Sequence, residues 1–128
     1  MEGRTLPITL EASAQARRML DELAGTLPRR VLDDLRMVTS ELVANAVKYA
    51  GQSGTNEIEF RMTRLRTCIR VEVTDQGPGF YPQMPPPSPG DSGWGLYLVD
   101  RLTTRWGVEY DGGARVWAEV PLPRARTA

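Results

Sequence analysis

Residues 41–50 read Glu-Leu-Val-Ala-Asn-Ala-Val-Lys-Tyr-Ala, the closing turns of the longest periodic segment in the chain. Val31, Leu35, Val38, Leu42 and Tyr49 recur at three- and four-residue steps. Pro28 can open this helix, and Gly51 and Gly54 break it. Within it Glu41, Asn45 and Lys48 stand at i, i+4 and i+7, so three polar side chains project from one stripe. The triplet alone also fits an ordinary polar helix face, and its meaning depends on the segments around it.

Toward the N-terminus, Leu6, Ile8 and Leu10 alternate with polar neighbours as in a half-buried strand. Ala14, Arg17, Arg18, Leu20 and Leu23 then change the period to helical. On the other side, Ile58, Phe60 and Met62 alternate with Glu57, Glu59 and Arg61. A turn near residues 64–67 leads into Ile69, Val71 and Val73 with the same period, which predicts an antiparallel hairpin. Six of the ten prolines fall between Pro78 and Pro89, which predicts a long loop over 77–93. Leu96, Val99 and Leu102 make a third helix ending near Gly107. Trp106, Val108 and Tyr110 make a strand that Asp111-Gly112-Gly113 turns into Val116, Ala118 and Val120. These elements predict an α+β fold in a single domain over 1–128: a two-layer sandwich of a mixed β-sheet with three α-helices on one face. Residues 1–5 and 122–128 are expected to fray.

The composition excludes several chemistries. At 128 residues, 41% apolar and 25% charged, the chain can bury a core without disulfide or metal staples. It has no histidine, which removes His-dependent triads, imidazole metal sites and an internal phosphohistidine. The single Cys68 cannot form an internal disulfide and reads as a small hydrophobe. Sixteen acidic residues balance sixteen basic ones, so no global charge recommends a nucleic acid. Arg61, Arg64, Arg66 and Arg70 cluster, but Glu57, Glu59 and Glu72 interleave with them, as on a solvated sheet face. Trp106 and Trp117 read as core or edge packing. The opening residues show no secretory pattern and no apolar run reaches a membrane span, so a cytoplasmic protein without a membrane contact is expected.

Two further stretches carry chemistry. Asp75-Gln76-Gly77-Pro78-Gly79-Phe80 follows the Ile69 to Val73 strand directly, placing an acid at a strand end before glycines that let a ligand approach the backbone. Gly93-Trp94-Gly95-Leu96 opens the third helix, where amide groups and the helix dipole favour an anion. Each alone also fits a turn or a hinge. Their order is what is specific: a helix with Glu and Asn, a strand ending in D-x-G-x-G, a long loop, then G-x-G-L opening a helix.

This arrangement resembles the GHKL (Bergerat-fold, histidine-kinase-like ATPase) ATP-binding domain, and within it the short anti-sigma factor serine kinases. The N box is ELVANAVKYA, the G1 box DQGPGF and the G2 box GWGLYLV. The resemblance implies that Asn45 gives an amide oxygen to Mg²⁺ on ATP and that Glu41 is the general base. It implies that Asp75 accepts a hydrogen bond from the adenine amino group, with Gly77 making room for the base. Gly79 matches the hinge of a lid over 80–92, and Gly93, Trp94, Gly95 and Leu96 match the segment that wraps the phosphates, with Lys48 close by. The implied activity is transfer of the ATP γ-phosphate to a serine of a STAS-domain anti-sigma antagonist, with sequestration of a sigma factor. A homodimer through the sheet and first helix is also compatible with the resemblance. The chain departs from the pattern in its lid, which has no Arg or Lys between Phe80 and Trp94 and leaves Lys48 or Arg115 as substitutes. Tyr49 stands where histidine is common, and Ala114 where threonine is usual. A second reading therefore stays open: an ATP-binding interaction module, with little or no transfer, whose nucleotide orders the lid for a partner.

Overall fold

The computed structural model describes residues 2–7, 11–22, 25–50, 57–75, 94–110 and 114–123. The elements are β1 (Glu2–Pro7), α1 (Ala12–Asp21), α2 (Arg29–Ala50), β2 (Glu57–Arg64), β3 (Cys68–Asp75), α3 (Trp94–Leu102), β4 (Arg105–Tyr110) and β5 (Ala114–Pro121). Pro28 stands just before α2, its carbonyl accepting from Leu32 N–H at 3.1 Å, so the missing proline N–H lies where a helix has no use for it. The 22 residues of α2 make it the longest element, as its period predicts.

The five strands form one sheet in the order β1-β2-β3-β5-β4. The two-layer α+β architecture matches expectation, but the sheet is not mixed. All four strand pairings are antiparallel. The reason lies in the connections: β5 folds back from β4 and inserts between it and β3. The two strands joined through α3 therefore run parallel without being neighbours. Residues 2–5, expected to fray, belong to β1, which pairs with β2 from Glu2↔Met62 to Pro7↔Glu57. Pro7 is tolerated because it is the last residue of an edge strand.

Strand alternation sorts the sheet into two faces. Ile58, Phe60, Met62, Ile69, Val71, Val73, Val116, Ala118 and Val120 are buried under the helices. They pack with Ala16, Met19 and Leu20 of α1 and with Val31, Leu35, Val38, Leu42, Val43 and Ala46 of α2. Each large apolar side chain so buried contributes about 1.5–3 kcal/mol. α2 lies on β2, β3 and β5 and between α1 and α3. The opposite face is polar, with a recess lined by Glu59, Arg61, Thr63, Glu72, Thr74 and Arg115. The mixed-charge face read from the sequence is visible there: Arg61 pairs with Glu59 at 3.1 Å and Arg70 with Glu72 at 2.8 Å. No described helix is long and apolar enough to cross a membrane.

Candidate functional site

The site is built around the second half of α2, which is held rigidly because Val38, Leu42, Val43 and Ala46 are buried on its core side. Asn45 lies on the flank of that buried stripe and is itself only 6% exposed. Its Nδ2 finds no hydrogen-bond partner among the described residues, and neither does the Oγ1 of Thr39, buried earlier on the same helix. A buried, unpaired polar atom costs about 1–3 kcal/mol, so an amide kept there needs a reason. Glu41, one turn before Asn45, is half-buried. Burial pushes its carboxyl above the ordinary glutamate value.

Two other elements meet α2. Asp75 is the last residue of β3, in register with Ile58 on one side and Ala114 on the other, both buried. Hydrogen bonding to strands on both sides fixes where the acid stands. Ala114, at the position where threonine was expected, is completely buried. Trp94, Gly95 and Leu96 form the first turn of α3, which packs on α2 and β4 and buries Val99 fully. Lys48 lies in the last turn of α2. The fold thus brings together the elements that carry the N box, the acid and the start of the G2 box, because α2 touches both β3 and α3. Gly77, Gly79, Gly93 and the lid stretch lie outside the described residues. Arg115 is on the polar face with Glu109 at 3.4 Å, turned away from the helices, so it does not substitute for a lid cation.

Residues 6–119 match the model of the histidine kinase-like ATPase domain. The chain belongs to that family. Among curated relatives, it is 29% identical over 109 residues to the serine-protein kinase RsbW of Bacillus licheniformis, covering 74% of this chain and 68% of the relative. It is 34% identical over 96 residues to an uncharacterized protein of Streptomyces coelicolor, covering 69% of this chain and 90% of that one. Two solved structures share the fold. The crystal structure of the RsbU and RsbW domains of a Mycobacterium tuberculosis protein superposes with a TM-score of 0.63 at 19% identity, covering 98% of this chain and 34% of that one. The histidine kinase domain of a blue-light activated kinase from Erythrobacter litoralis gives 0.59 at 20% identity, covering 91% and 61%. The chain therefore spans about a third of the first structure and less than two-thirds of the second. A histidine kinase-like ATPase domain binds ATP, and the Asn45 Nδ2–H₂, a donor without a partner among the described residues, fits an acceptor such as a phosphate oxygen.

Sequence reading missed a second polar cluster. Trp117, expected in the core or at an edge, lies half-buried on the polar face. The Arg70 guanidinium is 4.2 Å from its ring centroid and that of Arg105 5.4 Å. Beside it Glu119, buried, accepts hydrogen bonds from Arg70 Nη1 at 3.1 Å and from Arg105 Nε and Nη2 at 2.9 and 3.0 Å. The period of two already places Arg115, Trp117 and Glu119 on one face; what it does not tell is that the face is open. Trp106 does pack on the core, and its Nε1–H reaches Asp100. Cys68 is buried, and burial, the largest cause, raises its thiol, as befits a small hydrophobe.

Proposed function

We propose that this domain is an ATP-dependent serine kinase of the anti-sigma type, which phosphorylates a serine of a STAS-domain antagonist and sequesters a sigma factor. One observation carries the reading: a buried amide, Asn45, stands one helical turn from a carboxyl raised by burial, Glu41, and its Nδ2–H₂, without a partner among the described residues, is a donor suited to a phosphate oxygen. The serine-protein kinase relative at 29% identity supports it.

Asn45 would hold Mg²⁺ through its amide oxygen. Among the described residues no group of three or more Asp, Glu, His or Cys could hold a metal. The remaining ligands would then be phosphate oxygens and water, as magnesium prefers. When bound, Mg·ATP supplies the γ-phosphoryl group and part of the charge that offsets its transfer. Glu41 accepts the proton of the attacking hydroxyl, and its raised pKa makes it a stronger base than an exposed glutamate. By the family resemblance, Asp75 would accept from the adenine amino group, Gly77 would leave space for the ring and Gly79 would serve as the lid hinge. Gly93, Trp94, Gly95 and Leu96 would offer backbone N–H groups to the phosphates, and Lys48 would add a cation.

The second reading, a nucleotide-ordered interaction module, is favoured by one feature: no Arg or Lys lies between Phe80 and Trp94 to support a transferring phosphoryl group. One set of experiments separates the two. Mg·ATP is titrated calorimetrically into wild type, Asn45→Ala and Asp75→Asn, and transfer from γ-labelled ATP to candidate antagonists is followed in wild type and Glu41→Ala. Binding lost in Asn45→Ala and Asp75→Asn, with transfer lost in Glu41→Ala while ATP still binds, supports the kinase. Binding without transfer to any antagonist supports the module. No binding by the wild type sinks both.

A further inference from the structure

Asp100 and Trp106 are six residues apart but on different elements, Asp100 near the end of α3 and Trp106 on β4. The indole Nε1–H donates to Asp100 Oδ1 at 2.8 Å. α3 has only nine residues, short of the length at which a helix holds itself together in water, so its position is set by what fastens it. Its C-terminal half carries such fastenings. Val99 is fully buried and Leu102 packs on the core. The Thr103 hydroxyl donates to the Val99 carbonyl at 2.7 Å and closes the last turn. Thr104 N–H then donates to the Glu119 carbonyl at 3.0 Å, at the start of the return into β4. Apolar contacts at Val99 and Leu102 tolerate a small roll of the helix, whereas a hydrogen bond from a ring held by β4 does not.

The other end of α3 is the Trp94-Gly95-Leu96 turn, whose first amide groups have no acceptor inside the helix. At 1.5 Å per residue Trp94 lies about 9 Å along the axis from Asp100, so a tilt of about 6° at the anchor moves the first turn by about 1 Å. We propose that the Asp100–Trp106 hydrogen bond is a positioning contact for nucleotide binding: it locks α3 against β4 and thereby aims the first-turn amides at the phosphates. The inference rests on the reading of this domain as ATP-binding. Neither residue touches the nucleotide; both act through the helix.

The test is calorimetric titration of Mg·ATP into the full chain and its variants. Asp100→Ala and Trp106→Phe each weaken ATP binding about threefold, less than the roughly fivefold of one ordinary hydrogen bond because this one is solvent-exposed and already made in the free protein. The double variant is no weaker than either single one, because both remove the same contact. Asp100→Asn, which keeps an acceptor oxygen, restores affinity to within about twofold of wild type. Asp21→Ala removes the 2.7 Å ion pair with Arg36 between α1 and α2 and serves as the control: it changes Tm without changing ATP affinity. Wild-type affinity in Asp100→Ala and Trp106→Phe, multiplicative losses in the double variant, or equal weakening in Asp21→Ala each overturns the proposal alone. A wild type that binds no ATP overturns the nucleotide reading and the proposal with it.

Discussion

Arg105 grips Glu119 with a two-pronged fork, Nε to Oε1 at 2.9 Å and Nη2 to Oε2 at 3.0 Å, across the β4–β5 pair. The carboxylate is 8% exposed and the guanidinium 66%, so the acid is buried while its partner reaches in from solvent. The Arg105 hydrogen bond, helped by Arg70 and opposed by burial, holds the Glu119 carboxyl below the ordinary glutamate value. A folded pKa below the unfolded one stabilises the fold above the unfolded value, and that stabilisation is lost as pH falls through the folded value.

Glu119→Gln is therefore expected to lower stability at neutral pH by about 1–2 kcal/mol, a figure discounted for the exposure of Arg105. It is also expected to flatten the acid limb of the stability curve below about pH 4.5, the unfolded glutamate value. Urea denaturation of both proteins over a pH series checks this. An unchanged acid limb in the variant would show that the fork contributes nothing.

Glu41 has the opposite sign. Its carboxyl is raised by burial, so the protonated form is favoured in the fold. The associated stability is present below the ordinary glutamate value and is lost as pH rises through the folded one. Glu41→Gln removes the charge and keeps the shape. The variant is expected to be at least as stable as wild type at neutral pH and to lose the decline that wild type shows between mildly acidic and neutral pH. Denaturation midpoints over that range check it; a variant less stable than wild type at neutral pH would mean that the ionised carboxylate is held by a contact that outweighs burial.

How far such features can be read from sequence depends on whether their cause is local. The period of Val31, Leu35, Val38 and Leu42 gives α2 because one helix face must be covered whatever covers it. The alternation in 58–62 and 69–73 gives the β2–β3 hairpin for the same reason. Strand order is not local. The insertion of β5 beside β3, which makes the sheet antiparallel, is decided by pairing between segments about 45 residues apart, Cys68↔Pro121 to Asp75↔Ala114. The start of β1 at Glu2 is set by its ladder on β2, to which Arg4 and Thr5 contribute as backbone, without an apolar pattern of their own. The polar stripe of Glu41 and Asn45 was legible as a spacing, but the burial of Asn45 and its unpaired nitrogen required the fold. The open setting of Trp117 is not legible in the sequence, because an aromatic in an alternating strand says which face it shares, and not whether that face is covered.

Asn45→Ala separates function from stability. Removing the side chain loses packing but also removes a buried amide nitrogen without a partner, and the two effects offset to within about 1 kcal/mol. Leu42→Ala, one turn back and 1% exposed, has no such offset and is expected to cost about 3 kcal/mol. Denaturation of both variants beside the ATP titration checks the contrast. A loss in Asn45→Ala as large as in Leu42→Ala would show that the amide is a structural group.

Gly107 faces Trp117 across the β4–β5 pair, and a Cβ built on it would lie 2.9 Å from Trp117 Cζ2 and 3.1 Å from Nε1. The glycine is there to let the indole lie flat on the strand under the guanidinium of Arg70, 4.2 Å from the ring centroid. A methyl group must displace the ring from its place between the strand and the Arg70 guanidinium, because the strand backbone cannot retreat without breaking its ladder. Gly107→Ala is expected to lose about 1–2 kcal/mol through this overpacking, offset in small part by the lower strand cost of alanine. In a Trp117→Ala background the clash is gone, so the same substitution is expected to be neutral or slightly stabilising, and the coupling between the two positions is then about 1–2 kcal/mol. A double-mutant cycle by urea denaturation measures it, with Trp117 fluorescence reporting the displaced ring in the single variant. Equal losses in both backgrounds would place the cost of Gly107→Ala in the backbone and remove the indole from the explanation.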